Sequence, residues 1–204
     1  MTVPSPAAGP EHWASDVVLV DGGTVHVRPI GPEDGAALVA FHAGLSPDTV
    51  YARFFSPKPT LSEAEVEHFT RVDHDTRVAF VAELGDRLVG VARYDRTGNE
   101  REAEVAFVVA DEHQGRGIGT VLLEHLAAAA RERGISRFVA DTLPGNHRML
   151  ELFGEAGFDE RVGFDNGVVH VELAIEPTDT ARAATFEREH RAESRSVARL
   201  LTPG

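Results

Sequence analysis

The sequence contains no cysteine, a single lysine among its 20 basic residues, and no long run of apolar residues. Without cysteine, disulfide bonds, thiolate-ligated metal sites and a cysteine nucleophile are all excluded. A helix that crosses a membrane needs about 18 consecutive apolar residues, and no such stretch occurs. The first residues also lack the basic start and apolar centre of a secretion signal. We therefore expect a cytoplasmic protein that makes no membrane contact.

Positive charge is also scarce, because 33 Asp and Glu face 20 Lys and Arg, for a formal net charge of −13. Surfaces that bind nucleic acid need a positive footprint for phosphates, so we expect no nucleic-acid partner. The 204 residues, of which 42% are hydrophobic, suffice for one domain with a buried core. Composition divides the chain into a flexible leader over 1–15, a compact domain over 16–177 and a polar helical tail over 178–204.

The spacing of apolar residues predicts a chain of alternating strands and helices. The three strands in the middle follow one another through short turns, which favours an antiparallel meander. The predicted strands cover 24–30, 77–83, 87–95, 102–109, 137–142, 158–164 and 168–175, and the predicted helices cover 32–43, 47–55, 62–72, 118–134 and 146–155.

A glycine-rich turn joins the strand at 102–109 to the helix that follows it. Three glycines fall within five residues there, and glycine lets the backbone approach a ligand closely. A helix N-terminus adds unpaired N–H groups and the positive end of its dipole. The turn is therefore predicted to hold a phosphate or pyrophosphate. It reads Gln114-Gly115-Arg116-Gly117-Ile118-Gly119-Thr120.

The sequence of this turn fits three other interpretations to different extents. A P-loop is excluded, because no Gly-Lys-Ser/Thr follows. A dinucleotide-binding turn requires Gly-x-Gly-x-x-Gly directly after a strand, and here a polar stretch intervenes, although Asp141 lies about where a ribose-binding acid is found. The turn is also compatible with a purely structural connection between a strand and a helix. The last two interpretations stay open at this point.

The motif Gln114-x-x-Gly117-x-Gly119 matches the Gln/Arg-x-x-Gly-x-Gly/Ala signature of the GCN5-related N-acetyltransferases (GNAT). The order of elements over about 25–175 resembles that family, and a later segment that starts at Asn146 is similar to its Asn-x-x-x…Gly-Phe arm. The resemblance implies an α/β (α+β) fold in which helices flank a mixed, mostly antiparallel central sheet. It also implies that acetyl-CoA binds where the strand, glycine turn and helix meet.

The resemblance assigns roles to individual residues of this chain. In that family the turn amides hold the pyrophosphate of coenzyme A, and the preceding strand splays from its neighbour to pair with pantetheine. By position, the Val108 N–H would polarise the thioester carbonyl, which requires backbone alone. Asn146 is expected near pantetheine or as the N-cap of its helix, and Phe153 replaces the Tyr that often protonates the leaving thiolate. The implied cofactor-binding residues are Val108, Val109, Gln114, Gly115, Arg116, Gly117, Ile118, Gly119, Thr120, Asn146 and Phe153.

An amine acceptor with a pKa of about 10.4 must lose a proton before it attacks, so a general base is needed. The resemblance implies Glu104 in this role, within a direct ternary complex. Glu102 and Glu83 are the substitutes, and Glu104 is alternatively an ordinary solvated carboxylate. No metal is expected, because the acids and histidine of 73–75 are consecutive and lack ligand spacing.

Further segments narrow the branch of the family. Four of them are similar to the acetyltransferase domain of actinobacterial protein lysine acetyltransferases of the Pat type, which modify acyl-CoA synthetases. The run at 187–201 is similar to the linker that leads, in fused members, to an ADP-forming acyl-CoA synthetase-like domain. The expected function is acetylation of a lysine ε-amine in an acetyl- or acetoacetyl-CoA synthetase. Acetylation of a small amine and a non-catalytic acyl-CoA sensor remain alternatives. The four segments are 27–34, 51–55, 77–82 and 103–107.

Overall fold

The computed structural model of the protein describes residues 9–176, which form one mixed sheet with helices on both faces. The order of strands in the sheet is β1-β2-β3-β4-β5-β6-β8-β7. The strands are β1 (Ser15–Val18), β2 (Thr24–Pro29), β3 (Arg77–Leu84), β4 (Arg87–Arg96), β5 (Glu102–Val109), β6 (Arg137–Thr142), β7 (Asp159–Asp165) and β8 (Val168–Ala174). The helices are α1 (Gly35–Ala43), α2 (Pro47–Phe54), α3 (Glu63–Thr70), α4 (Ile118–Glu132) and α5 (His147–Glu155).

Neighbouring strands run antiparallel except for β5 and β6, which are parallel. This confirms the expected mixed, mostly antiparallel sheet. Helix α4 packs on β3, β4 and β5 from one face and buries an apolar stripe that includes Leu122 and Leu126. On the other face, α1 lies on β4 and α2 lies on β5. Two hydrophobic cores result, one on each side of the sheet.

The N-terminal segment differs from the flexible leader expected over 1–15. Trp13 is buried against Phe80, and its ring N–H donates to Glu132 of α4 at 3.0 Å. Strand β1, which the sequence analysis did not predict, follows at once and pairs with β2. The described part of the leader is ordered because burial of an indole outweighs the low apolar content around it. The predicted polar tail at 178–204 lies outside the described residues.

Strands β5 and β6 diverge towards the C-terminal end of β5. They pair only where Glu102–Glu104 meets Arg137–Val139, whereas β5 stays paired with β4 as far as Val109. Strand β6 continues along β8 instead. One edge of β5 is therefore open over its last residues, directly before the glycine turn. Within 9–176, no helix is both long and apolar enough to cross a membrane.

Candidate active site

The glycine turn places an open helix N-terminus at the end of β5. Gly115 and Gly117 have φ values of +75° and +87°, a left-handed conformation that side chains disfavour. Gly117 is the N-cap of α4, and no side chain caps the helix. The N–H groups of its first turn lack intrahelical partners and are free to bind an anion. The turn therefore fits the pyrophosphate that the sequence predicted.

The third glycine of the motif has a different purpose. A Cβ atom on Gly119 would lie 2.3 Å from the end of the Leu152 side chain, so this glycine allows close packing of α4 against α5. Among the predicted cofactor-binding residues, Gly119 thus contributes to helix packing, whatever its amide contacts.

The polar side chains of the turn are held by neighbouring elements. The Gln114 amide donates to the Val109 carbonyl at 3.0 Å, which ties the turn to the end of β5. The Arg116 guanidinium donates to Asp21 at 2.5 Å, and it also donates to His113 at 2.8 Å. The hydrogen bond from Arg116 lowers the pKa of Asp21 below its usual range. Both predicted ligands lie at the turn, and their side chains have partners within the protein.

The direction of the backbone N–H groups decides which β5 residues face the open edge. In an antiparallel pair, residues bonded to the partner strand alternate with residues that point away from it. Ala110 follows β5 and donates to the Val89 carbonyl at 2.9 Å, towards β4, and the β4–β5 register has no shift. The Val108 N–H therefore also points to β4, whereas Phe107 and Val109 direct their N–H groups to the gap.

This alternation corrects the role expected for Val108. Its N–H faces β4 and not the gap, whereas the N–H of the neighbouring residue Phe107 faces the gap. The opposite edge gives the same alternation, because the Arg101 carbonyl accepts from the Arg137 N–H of β6 at 3.1 Å. The sequence alone could not reveal this, because the alternation is set by the pairing of β5 with β4. Val109 keeps its predicted orientation towards the gap.

The three candidate general bases differ in their partners. Glu102 pairs with Arg137 at 3.3 Å, and Glu83 pairs with Arg28 at 2.6 Å. Glu104 is exposed, and within 9–176 it forms no ion pair or hydrogen bond through its side chain. A carboxylate that is free of strong partners is available to accept a proton. The geometry thus favours Glu104 over both substitutes.

An open cavity lies between the sheet and helices α1–α3. Ala106 and Val108 of β5 line it from the sheet side. Because side chains alternate along a strand, Glu104 projects from the same face, next to the cavity. The face that carries the candidate base is therefore the one with space for an acceptor.

The two predicted residues on α5 have structural roles. The Asn146 side chain accepts the Met149 N–H at 3.2 Å, so Asn146 is the N-cap of α5. Phe153 is 1% exposed and packs edge-on against Phe107 at a centroid distance of 6.1 Å. A buried phenyl ring cannot donate a proton, so the leaving thiolate has no acid at this position. The contact nevertheless places α5 directly behind the open part of β5.

The cluster at 73–75 is a capped turn. The Asp73 carboxylate accepts the N–H groups of Asp75 and Arg77 at 3.0 and 2.8 Å. Burial acts against the charge of Asp73, but the hydrogen bonds outweigh it and leave its pKa lowered. In the part of the chain that the structure describes, no group of three or more acids and histidines has the arrangement of a metal site.

One contributor to the site was not found in the sequence. Asp111, just after β5, accepts the N–H of Ser46 at 2.9 Å and the hydroxyl of Thr49 at 2.7 Å, both in the first turn region of α2. Burial opposes its charge, yet these bonds leave the pKa of Asp111 lowered. Asp111 thereby fixes α2 above β5. In the sequence, Asp111 is only an acid three residues before the glycine motif, and such a pattern is too common to predict this role.

An open strand edge beside an uncapped glycine turn defines, together with the sheet topology, a transferase that binds an acyl-CoA thioester. Residues 47–158 match the family model described as Acetyltransferase (GNAT) family. The chain belongs to this family, and it is an N-acetyltransferase that uses acetyl-CoA.

The relatives that this chain matches are acetyltransferases as well. The chain is 34% identical to Acetyltransferase PA5475 of Pseudomonas aeruginosa over 72% of this chain and 81% of that protein. It is 36% identical to Acetyltransferase Pat of Mycolicibacterium smegmatis over 76% of this chain, and this match spans only 47% of that protein. The crystal structure of the GNAT domain of S. lividans PAT superposes with a TM-score of 0.77 at 47% identity, covering 81% of this chain and 98% of that one.

Proposed function

We propose that this chain transfers an acetyl group from acetyl-CoA to the ε-amine of a lysine in another protein, an acyl-CoA synthetase of the acetyl- or acetoacetyl-CoA type. The observation that carries the proposal is the 47% identity to the GNAT domain of S. lividans PAT over 98% of that domain. We further propose that the protein is located in the cytoplasm. We also propose a synthetase-like domain as a partner, joined to this domain through the segment 177–204.

The chain's own residues support direct transfer between two bound substrates. The turn amides and the α4 N-terminus hold the pyrophosphate, and the open edge of β5 holds the pantetheine arm. The Phe107 N–H donates to the thioester carbonyl and stabilises the negative charge that develops on its oxygen. Acetyl-CoA supplies the activated acyl group. Glu104 takes the proton from the lysine ammonium, and the thiolate leaves without an acid from Phe153.

The consequence for the acceptor follows from charge. A lysine loses its positive charge on acetylation, so a synthetase that needs this lysine for its adenylation chemistry is switched off. The second candidate, acetylation of a small amine, has support in the cavity beside Glu104, which three helices cover.

The test is intact-mass measurement on a panel of acyl-CoA synthetases from the source organism, each incubated with this chain and acetyl-CoA. We expect one synthetase to gain a single acetyl mass, and to gain none with acetyl-CoA alone. Release of free coenzyme A with a small amine, while every synthetase keeps its mass, would instead establish the second candidate. Binding of acetyl-CoA without turnover on any acceptor would point to a sensor.

A further inference from the structure

The cavity contains two charged side chains that the proposed function does not use, and Arg53 is the first of them. It lies on α2, lines the cavity, and stacks its guanidinium over the Phe54 ring at 4.9 Å. Within 9–176, Arg53 forms no ion pair and no hydrogen bond through its side chain. Burial lowers the pKa of Arg53 to about 10, and the charge of Arg93 acts in the same direction. Arg53 is a half-buried cation without an ion-pair partner among the described residues, so this position is suited to an anion that arrives with a ligand.

A second guanidinium lines the same cavity. Arg93 projects from β4 and stacks over the Phe69 ring at 4.9 Å. Its Nε atom pairs with Asp95 at 3.4 Å, at the edge of the guanidinium. A planar guanidinium offers five N–H donors, so this contact leaves most of the Arg93 donors available. Each planar guanidinium can pair with a carboxylate through two parallel N–H···O hydrogen bonds, and two such groups line this cavity.

The neighbouring acids do not satisfy Arg53 in the structure. Asp95 and Glu104 face each other across β4 and β5, and both act on Arg53 through space. Neither carboxylate lies within the 4.0 Å of an ion pair with Arg53. His42, the remaining polar residue of the lining, donates to the Lys58 carbonyl at 2.7 Å. The remaining lining side chains are apolar.

The cavity begins next to the place of the acyl group. The Phe107 N–H, which faces the thioester, belongs to the peptide bond that Phe107 shares with Ala106, and Ala106 lies on the cavity floor opposite Arg93. Ala79 and Ala106 are small, so the floor leaves space between the thioester and the two arginines.

We propose that Arg53 and Arg93 bind the terminal carboxylate of an acyl chain carried by coenzyme A, so that the protein accepts dicarboxylic monothioesters such as succinyl-CoA besides acetyl-CoA. The carboxylate belongs to the donor, because the proposed acceptor is a lysine side chain, which carries no carboxylate that could pair with the two guanidinium groups. The proposal rests on the coenzyme A site and on the cavity, and it is independent of which protein carries the lysine.

The transfer step is the same as for acetyl. The amine nitrogen forms a bond to the thioester carbonyl carbon, and the carbon–sulfur bond breaks with its electron pair going to sulfur. Glu104 first takes one proton from the ammonium, which frees the amine to attack, and the second N–H proton passes from the tetrahedral intermediate through water to the leaving thiolate, so that coenzyme A leaves as the thiol. The products are an amide with a free terminal carboxylate, coenzyme A and one proton, and no oxidant or reductant takes part.

The experiment compares succinyl-CoA with butyryl-CoA, which has the same four-carbon chain without the carboxylate. Dissociation constants are measured by calorimetry without an acceptor, for the unaltered chain, for Arg53→Met and for Arg161→Met. Arg161 is exposed on the edge strand β7 and serves as the matched control. We expect succinyl-CoA to bind the unaltered chain and Arg161→Met about tenfold more tightly than butyryl-CoA, as a charge-assisted pair provides. In Arg53→Met, we expect most of this preference to be lost, because only Arg93 remains to bind the carboxylate.

Equal affinities in the unaltered chain, or a succinyl preference in Arg53→Met as large as in the unaltered chain, would overturn the proposal. A fall in acetyl transfer in Arg53→Met with no change in the ratio of the two constants would also overturn it, because Arg53 would then act on Glu104. If Arg53→Met does not fold, Arg53→Gln keeps a polar group of similar length and gives the same comparison. Failure of the synthetase assay leaves these binding constants unaffected, so the two proposals fail separately.

Discussion

Replacement of Glu104 by glutamine tests the proposed mechanism most directly. The substitution keeps the size of the side chain and removes its ability to accept a proton. Glu104 is exposed and has no ion pair or hydrogen bond among the described residues, so little structure depends on it. We expect the free energy of unfolding to change by no more than about 0.5 kcal/mol, as for ordinary surface positions.

The expected loss of activity follows from the role of a general base. Such a group contributes roughly 10²–10⁴ in rate, which corresponds to about 3–5 kcal/mol at roughly 1.4 kcal/mol per factor of ten. The affinity for acetyl-CoA is expected to stay the same, because the donor site is built from the open edge of β5 and the glycine turn. The loss therefore appears in kcat/KM for the acceptor and not in the dissociation constant of acetyl-CoA.

The matched control is Glu83→Gln. Glu83 pairs with Arg28 at 2.6 Å, so its replacement removes a charged hydrogen bond. We expect a loss of about 1.5–3 kcal/mol in stability and nearly unchanged turnover of the folded protein. The two variants thus have opposite profiles, one in catalysis and one in stability.

The assay follows release of coenzyme A between pH 7 and pH 9, with acetyl-CoA binding measured by calorimetry. Without a base, the reaction depends on acceptor that has lost its proton in solution, so the rate of Glu104→Gln should rise about tenfold per pH unit below the lysine pKa of about 10.4. Retention of more than a third of kcat/KM by Glu104→Gln would refute our assignment of the base. A pH profile parallel to that of the unaltered chain would do so as well.

Three further predictions concern the cofactor turn and the stability of the domain. Gly117→Ala places a side chain at φ +87°, where the strain is about 1–2 kcal/mol, so calorimetry should show acetyl-CoA binding about tenfold weaker. The control is Gly98→Ala, whose new side chain would stand in open space and whose acetyl-CoA affinity should not change. Asp34, 5% exposed, receives a bidentate contact from Arg28 at 2.7 and 2.8 Å, so Asp34→Ala should lower the free energy of unfolding by about 3–5 kcal/mol in urea. Burial opposes the charge of Asp34, but hydrogen bonds from Arg28 and from the Gly31 N–H outweigh it and leave the pKa of Asp34 lowered from 3.8. The ionised carboxylate therefore stabilises the folded protein above pH 3.8, and this stabilisation is lost as the pH falls through the pKa of the folded state. The urea midpoint of the unaltered chain should therefore fall in this acid range, and that of Asp34→Ala should fall less.

Periodicity in the sequence was sufficient for most of the fold. The predicted strands at 102–109 and 137–142 have the observed bounds, because alternation is clear where one face is buried. Helix α1 begins at Gly35, later than predicted, since Pro32–Asp34 form a short 3₁₀ turn. Strand β1 was missed because its pairing depends on β2 and on the distant contact of Trp13 with α4, neither of which has a local pattern.

The site was only partly predictable for a related reason. Glycine spacing identified the phosphate-binding turn, since positive φ and an uncapped helix are local properties. The orientation of the Val108 N–H, by contrast, depends on the register between β4 and β5. The position of Arg53 depends on Asp111, which fixes α2 over β5. Features set by contacts between distant segments leave no spacing rule in the sequence.

The alternation along β5 accounts for how one strand serves two substrates. Backbone N–H groups lie in the plane of the sheet, so Phe107 and Val109 offer theirs to the donor in the gap beside β6. Side chains stand perpendicular to the sheet, so Glu104 projects over the face that α2 covers, which is the side we propose for the acceptor. A base and an amide donor three residues apart therefore approach the same carbonyl from two directions. An insertion of one residue between them would turn the carboxylate towards α4 while leaving the Phe107 N–H in the gap. In the proposed mechanism, catalysis thus depends on an odd separation in sequence between Glu104 and Phe107, the residue whose N–H faces the gap.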